Sequence, residues 1–585
     1  MRILYDSFRE EYKSPFGVVT AGEDCIIHID VPTSCLVQEA LVVVQRDAGG
    51  EELTFPLTQN GGHDGYDRFG GAVRLTEPGL YFYWFFLRTQ GEGFCLYRRG
   101  LHDTNMEQGD RWQLSCLPEK MSVPQWARGA VMYQIFPDRF FREGVCDCTG
   151  KLQPYIVHAS EEEPPCWKPN ERGEVLNHDF YGGNLRGIAA KLEHLQSLGV
   201  ELIYLNPIFK AYSSHRYDTC DYLTVDPMLG TEEDFVFLCR QVHRRGMRLI
   251  LDGVFSHTGS RSLYFDREGE FGGGAYGHPE SPYRSWYLFS GDGSSYTSWW
   301  DFPTLPTLDK RNAGCREFLC SVVRKWMRLG ADGFRLDVAD ELPDDFIAEL
   351  RKAVRETKPD GLLIGEVWED ASSKIAYSVR RRYFTAPELD GVMNYPWKDA
   401  LLGFASGAVS GTELAARLET LTENYPPEAL QCTMLPLSTH DSPRALTALV
   451  APLDGSREEM AAHRLSPEQR ALALRRLRFA AVAQFVLPGM PSVYYGDEAG
   501  MEGCKDPFNR GFFPWAHADG ELTAFFRRLG MWRRNSEILR RGTLSVVQSG
   551  QSCITLRRTL EKKSITVCLN SAELSWRVDG DEVIL

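Results

Sequence analysis

Residues 333 to 340 read GFRLDVAD. Phe334, Leu336 and Val338 alternate as apolar residues, the pattern of a short strand. Arg335 and Asp337 stand two apart, so on a strand they point to the same side. A lone R-x-D is most often a structural ion pair, and the rest of the chain has to decide. Three further apolar runs end in charge: MRLILDGVFSH at Asp252 and His257, GLLIGEVW at Glu366 and Trp368, and TMLPLSTHD at His440 and Asp441. Charges buried without use are expensive. Four charged strand ends therefore point to a site. Three carboxylates, two histidines and an arginine suit acid–base or nucleophilic chemistry. H-x-x-x-H, H-E-x-x-H and the G-x-x-x-x-G-K-[ST] phosphate loop are all missing from the sequence. Paired carboxylates among aromatic surfaces fit glycoside cleavage: one attacks the anomeric carbon, the other protonates the leaving oxygen and then deprotonates water.

These side chains must be held by strands. From about residue 130, apolar runs alternate with amphipathic helices, the mark of a parallel α/β fold. The runs are AVMYQIFP, ELIYLNPIF, MRLILDGVF, GFRLDVAD, GLLIGEVW, GVMNYPW, TMLPLSTHD and SVYYGDE. Eight strand–helix units predict a TIM (β/α)8 barrel over 130–540, whose strand ends carry the active site. Residues 256–310, rich in Gly, Ser, Trp and Tyr, read as an excursion domain after the third strand. Residues 1–118 read as an N-terminal β-sandwich, 119–129 as a linker, and 541–585 as a small C-terminal β domain.

The 585 residues carry a net charge of −15 and no long basic run, which argues against nucleic acid or an anionic membrane as partner. MRILYDSFREEY has no apolar signal core, and FAAVAQFVL is too short to span a membrane. The 15 cysteines then read as reduced thiols, and the expected location is cytoplasmic. Cys146 and Cys148 form a C-x-C with Cys166 downstream, but no second pair follows at zinc spacing, so no metal site is expected there.

DGVFSH, GFRLDVAD, GEVW and STHD, in that order, resemble the four core motifs of the α-amylase family, glycoside hydrolase family 13; LPTLD and GMPSVYYGDE resemble two more. The resemblance implies retaining cleavage of α-glucosidic bonds. Asp337 is then the nucleophile, Glu366 the general acid/base and Asp441 a third carboxylate gripping the sugar. Arg335 aligns Asp337 and lowers its pKa. His257 and His440 bind hydroxyls, and Asp252 counts among the substrate-binding residues. YQIFPDRF, FYGGNLRGI, HRYDT and GDEAGMEG-x-x-DP-x-x-R are similar to the cyclomaltodextrinase, maltogenic amylase and neopullulanase group. By that likeness His215 and Tyr217 line the cleaved sugar's site. Asp506 and Arg510 bind the non-reducing side, and Trp368 flanks the acid/base. Group members often dimerise through the N-terminal domain, so a homodimer is expected, with an α-glucan oligosaccharide as partner.

Three departures stand out. FREGVCD and GGN replace the oxygen-rich calcium-binding stretches of some group members, so neither calcium nor another cofactor is expected. VADE replaces the usual VANE, which leaves the balance of α-1,4 against α-1,6 cleavage open. The loop after Glu366 carries Arg380, Arg381 and Arg382, a solvated face or a partner for nearby acids. A transglycosylase or an α-1,6-glucosidase of the same family shares every residue named, and a non-catalytic glucan-binding protein is the reading from another class.

Overall fold

The computed structural model describes residues 2–47, 49–171, 173, 175–291, 293–386, 388–451 and 454–581. Residues 582–585, the end of the expected C-terminal domain, lie outside them. Eight short parallel strands run β1 Met132–Ile135, β2 Leu202–Leu205, β3 Arg248–Gly253, β4 Gly333–Leu336, β5 Leu362–Gly365, β6 Gly391–Val392, β7 Met434–Pro436 and β8 Met490–Tyr494. They pair in chain order, β1 also pairs β8, and a parallel bridge between Met393 and Met434 closes the ring. The expected (β/α)8 barrel is therefore what the chain forms. Its strands are buried on both sides, which is why MYQI, LIYL and MPSVY read as nearly unbroken apolar runs.

Helices follow the strands with clear start signals. Thr231 and Asp234 cap Glu232–Arg244 reciprocally, and Asn312 caps Ala313–Leu329, which stops at Gly330. No described helix is long and apolar enough to cross a membrane.

Every strand is shorter than its sequence run, and two end for a clear local reason. After β6, Asn394 accepts a hydrogen bond from the Trp397 amide and opens a helix at Tyr395. After β4, Val338 takes a left-handed conformation at φ 38°, and Ala339–Glu341 makes a 3-10 turn. A β-branched residue is uncommon there. The turn ends the strand before VAD and lifts Asp337 to the rim.

By packing, the chain divides into two units. The first comprises Met1–Ser122, Asp370–Glu388 and Ala415–Leu430. Its ten-stranded sheet doubles back, so that Ile27, Ile29 and Val31 from one end meet Tyr83, Phe85, Leu87 and Trp112 from the other in one core. That is a sandwich, built by period-two alternation. The two later segments, which the sequence places within the barrel, pack with it. Arg380 grips Asp47 through Nε and Nη2 at 2.7 and 2.8 Å, Arg382 pairs with Glu388 at 3.2 Å, and buried Lys13 meets buried Glu423 at 2.9 Å.

The second unit holds the barrel, the excursion after β3 and the C-terminal sheet. The excursion is tied down by bridges His257–Thr307 and Tyr287–Leu308, and Phe265 gathers Tyr287, Phe289 and Tyr296 around itself. Four antiparallel strands between Thr543 and Gly580 form the C-terminal sheet.

Candidate active site

Arg335, at the end of β4, is wholly buried and centres the site. Its Nη1 lies 2.8 Å from Asp252 Oδ1 and 2.9 Å from Asp337 Oδ1. Its Nη2 lies 2.8 Å from Glu366 Oε2, an ion-pair contact outside hydrogen-bond alignment. The ends of β3, β4 and β5 thus meet on one guanidinium, as adjacent parallel strands with inward side chains require. The Val338 amide donates to Glu366 Oε2 at 2.8 Å, so the left-handed turn aims a backbone dipole at that carboxylate. Trp368 Nε1 donates to the other oxygen at 3.2 Å. The Trp368 ring stacks on Tyr395, centroids 3.8 Å apart, and is 46% exposed: a flat surface open to solvent beside a buried acid.

Burial pushes the carboxyls of Asp337 and Glu366 above the ordinary range, and Arg335 pulls both back. The expectation of a lowered Asp337 is therefore not met. One cation faces three carboxylates in a dry place, and desolvation outweighs the single opposite charge.

Asp252, expected to bind substrate, and Arg335, expected to align Asp337, both turn inward. Asp252 has no exposed side-chain surface; Oδ1 holds Arg335, and Oδ2 accepts from Tyr204 at 2.6 Å and Tyr217 at 2.7 Å. Arg335 has none either. Both are engaged by neighbouring side chains, and every charge they carry is paired within the protein. His440 is almost as fully engaged by its neighbours. Its Nδ1 meets Gln134 at 2.9 Å, and its Nε2 meets the Tyr217 hydroxyl and, at 3.0 Å, Asp441 Oδ2.

His257 is the opposite case. It is buried, and burial then Lys310 pushes it down to about 3; beyond a contact with the Tyr217 backbone, neither ring nitrogen makes a well-aligned hydrogen bond to the described residues. A buried polar group of this kind is costly unless something bonds it. Tyr217 is locked by Asp252, His440 and Asn206, and its ring stacks on His440 at 5.3 Å. His215 is pinned by Ser213 at 3.0 Å, and burial holds it well below its usual pKa. Arg510 pairs with Asp506 at 2.8 Å and Asp441 at 3.4 Å, which leaves Asp441 partly open. All twelve expected residues thus fall in the second unit, at one end of the barrel and its loops.

Sequence reading missed Tyr204, Gln134, Asn206 and Tyr395. The first three lie on or just beyond β1 and β2, where they read as ordinary strand residues. Only their contacts to Asp252, Tyr217 and His440 reveal them. At FREGVCD and GGN, side chains are taken up by the protein itself. Asn184 spends its side chain on the Gly187 amide and the Glu143 carbonyl, and Cys146, not an oxygen, packs on Gly182.

Residues 134–535 match the model of the α-amylase catalytic domain. The chain belongs to the α-amylase family. Among its relatives in that family, an amylopullulanase of Thermoanaerobacter thermohydrosulfuricus is 32% identical over 93% of this chain, which spans only 40% of that protein's length. Neopullulanase 2 of Thermoactinomyces vulgaris is 30% identical over 97% of this chain and 91% of its own. The solved type III pullulan hydrolase from Thermococcus kodakarensis superposes with a TM-score of 0.65 at 27% identity, covering 97% of this chain and 94% of its own.

Proposed function

We propose that this chain hydrolyses α-1,4-glucosidic bonds, and some α-1,6 bonds, in maltooligosaccharides, cyclodextrins and pullulan or starch fragments. The observation that carries this is one guanidinium shared by Asp337 and Glu366. It favours the short carboxylate separation of retaining enzymes, about 5 to 5.5 Å, over the gap of about 6.5 to 9.5 Å that inverting enzymes need for a water.

In this reading Asp337 attacks the anomeric carbon. Glu366 delivers a proton to the leaving oxygen; it then takes a proton from water, and the glycosyl–Asp337 ester is hydrolysed. Asp441, His257 and Tyr217 hold the sugar being cleaved, Asp506 and Arg510 the non-reducing side, and Trp368 the leaving sugar by stacking. The fifteen free cysteines fit a reducing compartment, so the reading includes the cytoplasm. It also includes a homodimer through the N-terminal unit, which sedimentation tests.

The deciding experiment is digestion of β-cyclodextrin, starch, pullulan, maltotriose and isomaltose, with Asp337→Asn alongside and the product anomer read by NMR. Maltose and glucose released first as the α-anomer, with an inert Asp337→Asn, is the expected result. A β-anomer rules out retention. Cleavage of isomaltose alone moves the assignment to an α-1,6-glucosidase, and products longer than the substrate move it to a transglycosylase.

A further inference from the structure

The long loop after β1 carries a second cluster of titratable groups with no part in the chemistry above. A short strand, Ile156–Val157, lies parallel to Asp179–Phe180. It sets His158 beside Asp179, and Cys166 folds back onto the pair. One ligand atom from each of His158, Cys166 and Asp179 lies within 4.8 Å of the other two. His158 and Asp179 are buried, and Cys166 is half-buried.

The contacts of these groups have a direction. Glu163 Oε2 lies 2.8 Å from His158 Nδ1, which fixes the ring and turns Nε2 toward the other two residues. A carboxylate behind the far nitrogen is the usual way a protein orients a metal-binding imidazole. His158 also stacks on Tyr181, centroids 4.1 Å apart, so the ring cannot swing away. On Asp179, the Cys166 amide at 3.1 Å, His158 Nε2 at 3.0 Å and Arg139 at 3.3 to 3.4 Å all converge on Oδ2.

We propose that His158 Nε2, Cys166 Sγ and an Asp179 carboxylate oxygen bind a divalent transition metal of the zinc class, with water in the fourth position. The donor set decides the class. One imidazole, one thiolate and one carboxylate suit a borderline ion and not calcium or magnesium, which take oxygens. Metal bonds of about 2.0 to 2.3 Å draw the three atoms closer than they stand here, within reach of a Cys166 side-chain rotation. Cys166 binds as the thiolate, its proton passing to solvent.

Among the described residues, Arg139 is the cation that pairs with Asp179 in the cluster. Arg139 is shared between Asp179 at 3.3 Å and Asp138 at 3.1 Å, so a doubly charged ion meets negative charge from the thiolate and Glu163 that Arg139 does not offset. The ion clips the loop after β1 to Asp179. Arg139 continues the line by donating from Nη2 to Ser214 Oγ at 3.2 Å, next to His215. The role is structural and lies outside the proposed catalytic steps.

The test uses the full chain, stripped with a chelator and titrated with ZnCl2 by calorimetry. About one strong site per chain and a raised melting temperature are expected, because metal binding adds to folding stability. His158→Ala and Cys166→Ser should each abolish the site while melting like stripped wild type. Cys146→Ser with Cys148→Ser should leave it intact. If the first two variants fold poorly, CoCl2 added to wild type reads the same ligand directly: a thiolate-to-cobalt charge-transfer band is expected, and Cys166 should resist alkylation only in the loaded protein. No binding by wild type, or binding that survives Cys166→Ser and is lost with Cys146→Ser, overturns the proposal. The readout is independent of glucan cleavage, so failure here leaves the catalytic reading standing, and the reverse holds too.

Discussion

Arg335 Nη1 stands 2.9 Å from Asp337 Oδ1, two residues further along the same chain segment, and 2.8 Å from Asp252 Oδ1 on the neighbouring strand. One fork therefore ties the proposed nucleophile to a residue that holds the sugar platform Tyr217. Removing the fork strands buried carboxylates, a loss of roughly 3 to 5 kcal/mol. Arg335→Ala should melt earlier and lose about 10² to 10³ in kcat/KM. Burial already raises the Asp337 and Glu366 carboxyls, and Arg335 is what lowers them. The acid limb of the kcat/KM profile should therefore move to higher pH in Arg335→Lys, whose single ammonium cannot span both carboxylates. An unmoved limb assigns Arg335 a purely structural role.

Glu366 is proposed as the proton donor, so its need depends on the leaving group. Glu366→Gln should cost about 10² to 10⁴ on maltotriose. On α-maltosyl fluoride, whose leaving group needs no proton, the first step should be nearly spared. Equal losses on both substrates remove Glu366 from the acid role.

Lys13 and Glu423 make a buried ion pair within the first unit, 2.9 Å apart with side chains almost fully shielded. Lys13→Met alone leaves an unpaired buried carboxylate and should destabilise that unit by roughly 3 to 5 kcal/mol. Lys13→Met with Glu423→Leu should recover most of the loss. Thermal melts of the four proteins in the cycle give the coupling, and strictly additive effects mean the pair is not formed.

His102 sits between Asp6 and Glu419, which together raise it to about 10. The folded value lies above the usual 6.5 of the unfolded chain. Its contribution is therefore fully present below pH 6.5 and is lost as pH rises through about 10. The side chain is half exposed, so the effect is modest. The melting gap between wild type and His102→Gln should be largest near pH 6 and should close toward pH 10. A gap independent of pH means the histidine is not charged in the folded protein.

Several features were readable in the sequence for one reason: periodicity is a local property. Eight apolar runs separated by amphipathic helices gave the barrel, because strands buried on both faces need unbroken apolar stretches. Charges at the ends of those runs marked Asp337, Glu366 and Asp441 as candidates, because a barrel gathers its strand ends at one face. The order of the motifs gave the family.

Tertiary structure decided what depends on residues far apart in the chain. Whether Asp252 touches a ligand or holds Arg335 turns on Tyr204 and Tyr217, which belong to other segments. Asp337 sits high relative to the usual carboxylate range because burial, with Glu366, Asp252 and Asp441 nearby, outweighs one guanidinium, a sum over several strands that no single strand records. Asp370–Glu388 and Ala415–Leu430 lie between barrel elements in sequence yet pack with the N-terminal sheet, since Arg380 finds Asp47 and Glu423 finds Lys13 only in space. His158, Cys166 and Asp179 follow no regular spacing, and it is the parallel pairing of Ile156 with Asp179 that brings them together. Sequence set which residues could carry charge at a strand end; desolvation and distance, which only the folded chain defines, set what those charges do.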